Sequence, residues 1–501
     1  MNHSVSGPRH GLTRAVLVAM GILALAGCRS RSPQTIAPAS PVQTTSVVGL
    51  PDNQTLLNNP AMGWVFYQNP LWPHPELVWR RLAAEWHVSN IVYWRGPWSD
   101  FEPQPGRYVW RYNPRVITWI RKVRAAHKRL AFRVLVNSKD RRTPATPLWV
   151  KAQGARGYDI AGVWTPYPDD PVFQRDFSRF IRAFGKRFDN PRETDFVDAA
   201  GLGWWGEMHH LKIPASHFDQ VYNWLCGAYA KAFPHVLLVT NFGPDVGLKM
   251  NIRIALDKYG ILFRRDGLGS LWINARQKQF MRNMFPRSPL FGELCYGYRG
   301  PGKPIDANPH IDQRLSQHGI HNFSEDLEWA MKQALEYHAN TLNISWSAWF
   351  KLEPNLVQKF ISRGGYRLYP AKLKFPAEMQ RGQPCSIEQT WCNAGVGVLP
   401  NATPQWNHKY KFAFALFKKD AARPVAVAVD PSAAHLSTLI KGRPLNRTSV
   451  VHWSAAPGEY KLAVAIVDTT EHDRAAIELA VRNLPRIGRW YVIGNTHVSR
   501  N

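Results

Sequence analysis

Phe196-Val-Asp-Ala-Ala-Gly-Leu-Gly-Trp-Trp-Gly-Glu-Met-His-His210 begins as an apolar, strand-like run and ends in glycine, indole, one carboxylate and two histidines. A parallel strand buried on both faces reads as such a run. Glycines near its end let backbone or ligand come close. Glu207, flanked by indoles, has two readings. Apolar surroundings raise a carboxyl's pKa and suit it to general-acid work, and Trp faces stack on sugar rings. Alternatively, a core glutamate pairs with one of the chain's many arginines.

Working outward, apolar runs recur at 63–67, 90–94, 130–137, 196–207, 236–242, 268–273, 290–294 and 341–346. Helical periods lie between them. Phe173, Phe177, Phe180, Ile181, Phe184 and Phe188 share one face, as do Leu327, Ala330, Met331, Ala334, Leu335 and His338. Eight strands alternating with helices predict an α/β fold, a (β/α)₈ TIM barrel over 51–364. Beyond it the texture changes to short runs such as Tyr410-Lys-Phe-Ala-Phe-Ala-Leu416, Pro424-Val-Ala-Val-Ala-Val429 and Tyr460-Lys-Leu-Ala-Val-Ala-Ile466. These predict a C-terminal antiparallel β-sandwich over 365–501.

The N-terminus reads as a targeting segment over 1–28. Arg9 and Arg14 precede an apolar stretch at 15–26, too short to span a membrane. Leu25-Ala-Gly-Cys28 resembles a bacterial lipobox, which implies cleavage before Cys28 and lipidation of its thiol. Residues 29–50, with Pro33, Pro38 and Pro41, read as a flexible tether. The expectation is an exported protein, lipid-anchored in the bacterial cell envelope (periplasm or outer membrane). A net charge of +27 favours anionic partners, an acidic polysaccharide or a membrane surface among them. Adaptation of an exported protein to an acidic medium would account for it equally. No basic run or motif points to nucleic acid. Cys385 and Cys392 could bridge only across a turn, since on one straight strand their separation puts them on opposite faces. No Cys/His spacing makes a zinc site. Adjacent histidines on a strand end face apart, so neither metal nor cofactor is expected.

Catalytic groups of such barrels sit at the C-terminal strand ends. Read in order, those ends supply Arg95, Asn137, Glu207, Asn241, Glu293 and Trp346. Glu293, in Pro289-Leu-Phe-Gly-Glu-Leu-Cys-Tyr-Gly-Tyr298, repeats the pattern of an apolar strand closing in Gly-Glu. Two carboxylates from opposite sides of one ring are what glycoside hydrolysis needs, one to protonate the leaving oxygen and one to attack or to activate water. Trp204, Trp205, Trp346 and Trp349 are candidate stacking platforms or plain core. Arg133 could orient a carboxylate or satisfy a core ion pair, and Glu102 reads as a loop anchor.

Trp94-Arg-Gly-Pro-Trp-Ser-Asp-Phe-Glu-Pro-Gln-Pro-Gly-Arg-Tyr108 resembles the "W…EP…G…Y" segment of barrel glycosidases of the β-galactosidase superfamily. Asn59-Pro60 with Gly63-Trp64, Gly203-Trp-Trp-Gly-Glu207, Gly365-Tyr-Arg367 and Asn393-Ala-Gly-Val396 resemble uncharacterised bacterial families, domains of unknown function with a glycosidase-like barrel and a C-terminal β-domain. The resemblance implies a glycoside hydrolase with Glu207 as acid/base and Glu293 as nucleophile. Arg95, Asn137, Trp204, Trp205, His209, Asn241, Tyr296 and Trp346 are the expected carbohydrate-binding residues. One departure stands out. Gly206 replaces the asparagine that usually precedes the strand-four glutamate and holds the sugar 2-hydroxyl, which leaves that task to Asn137, Asn241 or His209 and leaves retention or inversion open. A non-catalytic glycan-binding envelope lipoprotein is the alternative.

Overall fold

The computed structural model describes residues 43–72, 80, 87–137, 139–243, 245–344, 349–432 and 436–500. The targeting segment with Cys28, and Trp346, lie outside the described residues, as does the side chain of Trp349.

Eight parallel strands close into a barrel in sequence order: β1 (Gly63–Tyr67), β2 (Ser89–Pro97), β3 (Arg129–Leu135), β4 (Thr194–Asp198), β5 (Leu237–Asn241), β6 (Leu262–Leu268), β7 (Leu290–Leu294) and β8 (Ala339–Ile344). Helices cover the outside. The helix Pro171–Phe188 starts on an Asp170 cap that accepts from the backbone N–H of Val172 and Phe173. Its phenylalanine row is buried against Trp98, Phe101 and Phe132. Truncating one such ring costs about 3–5 kcal/mol.

Two expectations for the barrel need correction. β4 stops at Asp198, and residues 199–210 form a tight loop, so Glu207 stands on that loop and not on the strand. Strand six is Leu262–Leu268, earlier than the 268–273 run. Its three central charges, Arg264, Arg265 and Asp266, masked the strand in an apolar search.

The C-terminal region carries two sheets. One orders Thr44–Val48, Leu368–Pro376, Pro384–Asn393 and Leu445–His452, all antiparallel. The other is built on Tyr410–Phe417, Gly458–Asp468 and Trp490–Ser499, with a short parallel pairing of Glu378–Gln380 at its edge. Trp391 of the first sheet meets Phe412 of the second at 4.4 Å between ring centroids. Thr44–Val48 is therefore an edge strand, and the tether reading of 29–50 does not extend over it. Cys385 and Cys392 share the strand Pro384–Asn393, point to opposite faces and are both free thiols. Among the described residues no helix is long and apolar enough to cross a membrane.

The β-domain docks on the N-terminal end of the barrel. Asn59, ahead of β1, exchanges hydrogen bonds with the backbone of Glu478 at 2.9 and 2.7 Å. Asn340, second residue of β8, donates to the carbonyls of Ala61 and Val398. The C-terminal strand ends stay clear of this joint.

Candidate active site

All eight strands send a polar side chain toward the C-terminal end: Tyr67, Arg95, Arg133, Asp198, Asn241, Arg264 with Asp266, Glu293 and Asn343. The deepest layer is a buried ionic lattice. Asp198 accepts from Tyr93 at 2.6 Å and Arg133 Nε at 2.5 Å, and lies 3.5 Å from Arg264 Nε. Both Nη atoms of Arg264 reach the side-chain oxygen of Asn343, at 3.0 and 3.1 Å. Arg133, Arg264 and Asp198 are fully buried. Removing one member of such a set strands a charge, which costs about 3–5 kcal/mol.

Glu207 and Glu293 rest on this lattice. Arg133 Nη1 is 3.0 Å from Glu207 Oε1, and its Nη2 is 3.6 Å from Glu293 Oε2. Arg95, partly open to solvent, repeats the bridge above, with Nη1 3.4 Å from Glu207 Oε1 and 3.8 Å from Glu293 Oε1. The two carboxylates thus face the same guanidiniums. Arg264 pairs directly with Glu293, and Tyr67 donates its hydroxyl to it.

Burial lifts the Glu293 carboxyl to about 8, while the guanidiniums of Arg95, Arg133 and Arg264 that face it favour its ionised form. Glu207 is raised by burial first and by the Asp266 charge second, against His209, Arg133 and Arg95.

The Glu207 loop is bent by backbone that only glycine tolerates. Gly203 sits at φ 74°, ψ −175°, and a Cβ there would lie 2.2 Å from the His209 carbonyl oxygen. Asn241 pins the loop, its Nδ2 donating to the Glu207 carbonyl at 2.8 Å. His209 Nε2 is 3.3 Å from Glu207 Oε2, and its Nδ1 lies 2.6 Å from His210 Nδ1. His210 stacks flat on Trp204 at 3.6 Å.

The expected site residues divide. Glu207, Glu293, Arg95 and His209 converge. Asn241 is engaged as a backbone clamp, its oxygen also taking the Asp266 N–H at 3.4 Å, so it is not a free sugar ligand. Asn137 shares a side-chain hydrogen bond with Tyr158. Tyr296 packs with Ile305, Leu315 and Ile320, a side cluster and not the carboxylate pair. Trp204 and Trp205 flank the loop under Lys139, and Trp205 Nε1 donates to Asp140 at 2.5 Å. Phe291 packs on Phe196, and the side chains that reach the Glu207 carboxyl are Arg95, Arg133 and His209. Glu102 anchors its loop, accepting from Trp98, Gly106 and Arg179. Tyr67, Tyr93, Asp198, Arg264, Arg265 and Asp266 went unnoticed in the sequence. The usable signal was Arg264-Arg265-Asp266 inside an otherwise apolar run.

Glu207, His209 and Asp266 bring one donor atom each within 4.8 Å of one another. Arg133 Nη1 already faces Glu207 at 3.0 Å and Arg265 Nη1 faces Asp266 at 2.8 Å, so cationic side chains stand against both acids of the trio.

No family model and no curated protein matches the chain. Among solved structures, endo-glycoceramidase II from Rhodococcus sp. is similar over 82% of this chain and 100% of its own, at 13% identity and a TM-score of 0.37. An exo-β-1,4-mannosidase from Opitutaceae bacterium strain TAV5 matches over 60% of this chain at 14% identity and 0.36, and this chain spans only 55% of its length. A β-glucanase from Saccharophagus degradans matches over 64% of this chain and 94% of its own, at 10% and 0.38. At such distances the chemistry has to be read from the residues. The chain carries a closed (β/α)₈ barrel followed by a C-terminal β-domain.

Proposed function

We propose that this protein is a glycoside hydrolase. The observation that carries the reading is the bridged pair: two buried carboxylates, from the loop after β4 and from β7, face the same two guanidiniums at the open end of the barrel. Glu207, kept protonated, donates to the departing glycosidic oxygen. Glu293, kept ionised, attacks the anomeric carbon, and water later releases the sugar with Glu207 acting as base, which is the retaining route. His209, beside Glu207, takes the hydroxyl that an asparagine before the glutamate would otherwise hold. The test is hydrolysis of activated aryl glycosides followed by NMR of the first-formed anomer. Glu293→Gln should abolish turnover, and full activity in that variant sinks the assignment.

A second reading, a glycan-binding envelope protein without turnover, draws on the same arginines, since Arg95 and Arg133 occupy the space between the carboxylates. It predicts glycan binding with no product, and binding unchanged by Glu293→Gln. The export reading is likewise a proposal resting on the residues around Cys28. Cys28→Ser should leave the chain unlipidated and released by a high-salt wash.

A further inference from the structure

We propose that Asp266 is a positioning carboxylate that holds the acid proton on Glu207, a role that rests on the glycosidase reading of Glu207. Asp266 follows Arg264 by two residues on β6, so both turn the same face inward, Arg264 to Glu293 and Asp266 to Glu207. The Asp266 carboxylate comes within 4.8 Å of Glu207 and His209, and the two acids hydrogen-bond. Two carboxyls can share a hydrogen bond only if one keeps its proton. Position decides which one. Asp266 has Arg265 on it at 2.8 Å. Burial opposes its charge, and Arg265, the Glu207 hydrogen bond, Arg133 and Arg264 together hold its carboxyl low.

The remaining charges around Glu207 are Arg95 on β2, Arg133 on β3 with Asp198 on β4 behind it, His209 on its own loop, Arg264 and Arg265 on β6, and Glu293 on β7. Arg95 and Arg133 stand between Glu207 and Glu293 and shield one from the other. Among the described residues no arginine makes an ion pair with both Glu207 and Asp266, and His209 lies within 4.8 Å of both. The negative charge that favours the protonated acid therefore comes from Asp266 rather than from the opposite carboxylate. Asn241 keeps the pair in register, since it holds the Glu207 carbonyl with one amide atom and the Asp266 N–H with the other.

The experiment is a carboxyl ¹³C titration of the folded chain, with signals assigned by Glu207→Gln and Asp266→Asn. It reads the proton without needing turnover. Glu207 should titrate above the ordinary glutamate value, and Asp266→Asn should lower that midpoint by about one pH unit, a tenfold loss of proton affinity. Asp266→Glu should restore part of it. On any glycoside the wild type cleaves, the alkaline limb should move with the same midpoint. An unmoved Glu207 midpoint in folded Asp266→Asn overturns the proposal, as does finding the neutral-pH proton on Glu293. If Asp266→Asn does not fold, the wild type decides: the Asp266 resonance must shift again where Glu207 titrates, and its failure to do so overturns the proposal. A shifted midpoint with no glycoside cleaved would sink the hydrolase reading alone.

Discussion

Burial and a neighbouring acid favour the protonated form of Glu207, while three guanidiniums favour the charged form of Glu293, and the proposed mechanism uses both. The pH dependence follows from these signs. Activity needs Glu207 protonated, so it falls as pH rises through the raised Glu207 pKa. It needs Glu293 ionised, so it falls again as pH drops through the Glu293 pKa. A bell-shaped kcat/KM profile is expected, and Glu207→Gln should remove its alkaline limb. That variant should slow substrates with poor leaving groups by 10²–10⁴-fold, roughly, and spare activated ones. Equal loss on both would show that Glu207 does not donate the proton. Both glutamates were legible in the sequence because an acid after glycine at the end of an apolar run has few structural uses. Arg95 and Arg133 were named from their strands as well, but Arg264 and Tyr67 were not, since a side chain that reaches across a barrel leaves no mark on local sequence.

At the scale of the element, the loop 199–210 and strand β6 explain what the sequence concealed. Apolar continuity from Phe196 suggested one strand to Glu207, yet glycines at 201, 203 and 206, all with positive φ, fold that stretch back on itself. Gly203→Ala should cost about 1–3 kcal/mol and lower kcat further than stability explains, because the new methyl displaces the backbone beside Glu207. Thermal melts with single-turnover rates separate the two effects, and a variant as active and stable as wild type contradicts the loop account. The helix Phe323–Glu336 carries a different liability. Asp326 is buried with its pKa raised to about 8 by desolvation, and its Oδ1 lacks a hydrogen-bond partner. A carboxyl that binds its proton more tightly folded than unfolded stabilises the fold at low pH, and that stability drains between the unfolded pKa near 4 and about 8. Asp326→Asn should therefore flatten the decline of Tm over that interval, gaining on the order of a few kcal/mol at pH 8. A parallel decline in both proteins would refute it.

At the scale of the molecule, the family-like motifs fall into two groups by position. Gly203 to Glu207 builds the loop that carries Glu207, and Trp94 to Tyr108 brings Arg95 to it. The others, Asn59-Pro60, Gly365-Tyr-Arg367 and Asn393-Ala-Gly-Val396, lie in the joint between barrel and β-domain, at the end remote from the carboxylates. Sequence reading took them as marks of a functional family, and the structure gives each a packing task. Tyr366 donates to the Pro60 carbonyl at 2.7 Å, and a Cβ on Gly395 would meet the Gly365 carbonyl oxygen at 2.3 Å. The net charge of +27 also belongs to this scale. If it serves an acidic glycan, affinity should fall with salt, since surface charges are screened beyond about 10 Å at 0.1 M. Salt-independent, equal affinity for neutral and acidic glycans would exclude that use.

Arg367 gives the joint its sharpest test. The guanidinium is fully buried and donates to the carbonyls of Asp52 at 3.1 and 2.6 Å, Thr55 at 3.0 Å and Ile361 at 2.8 Å. One side chain thereby ties the segment entering the barrel to the helix leaving it and to the first strand of the β-domain. Arg367→Leu keeps much of the volume but leaves three carbonyls without their donor. An unsatisfied buried acceptor costs about 1–3 kcal/mol, so the loss should be on the order of several kcal/mol. Because the joint is built from both parts, barrel and β-domain should unfold in one calorimetric transition, and the substitution should lower that single transition as a whole. Turnover per folded molecule should not change, since the carboxylates stand at the opposite strand ends. Two wild-type transitions, only one of them moved by Arg367→Leu, would mean that the β-domain is a passenger and not part of the barrel's foundation.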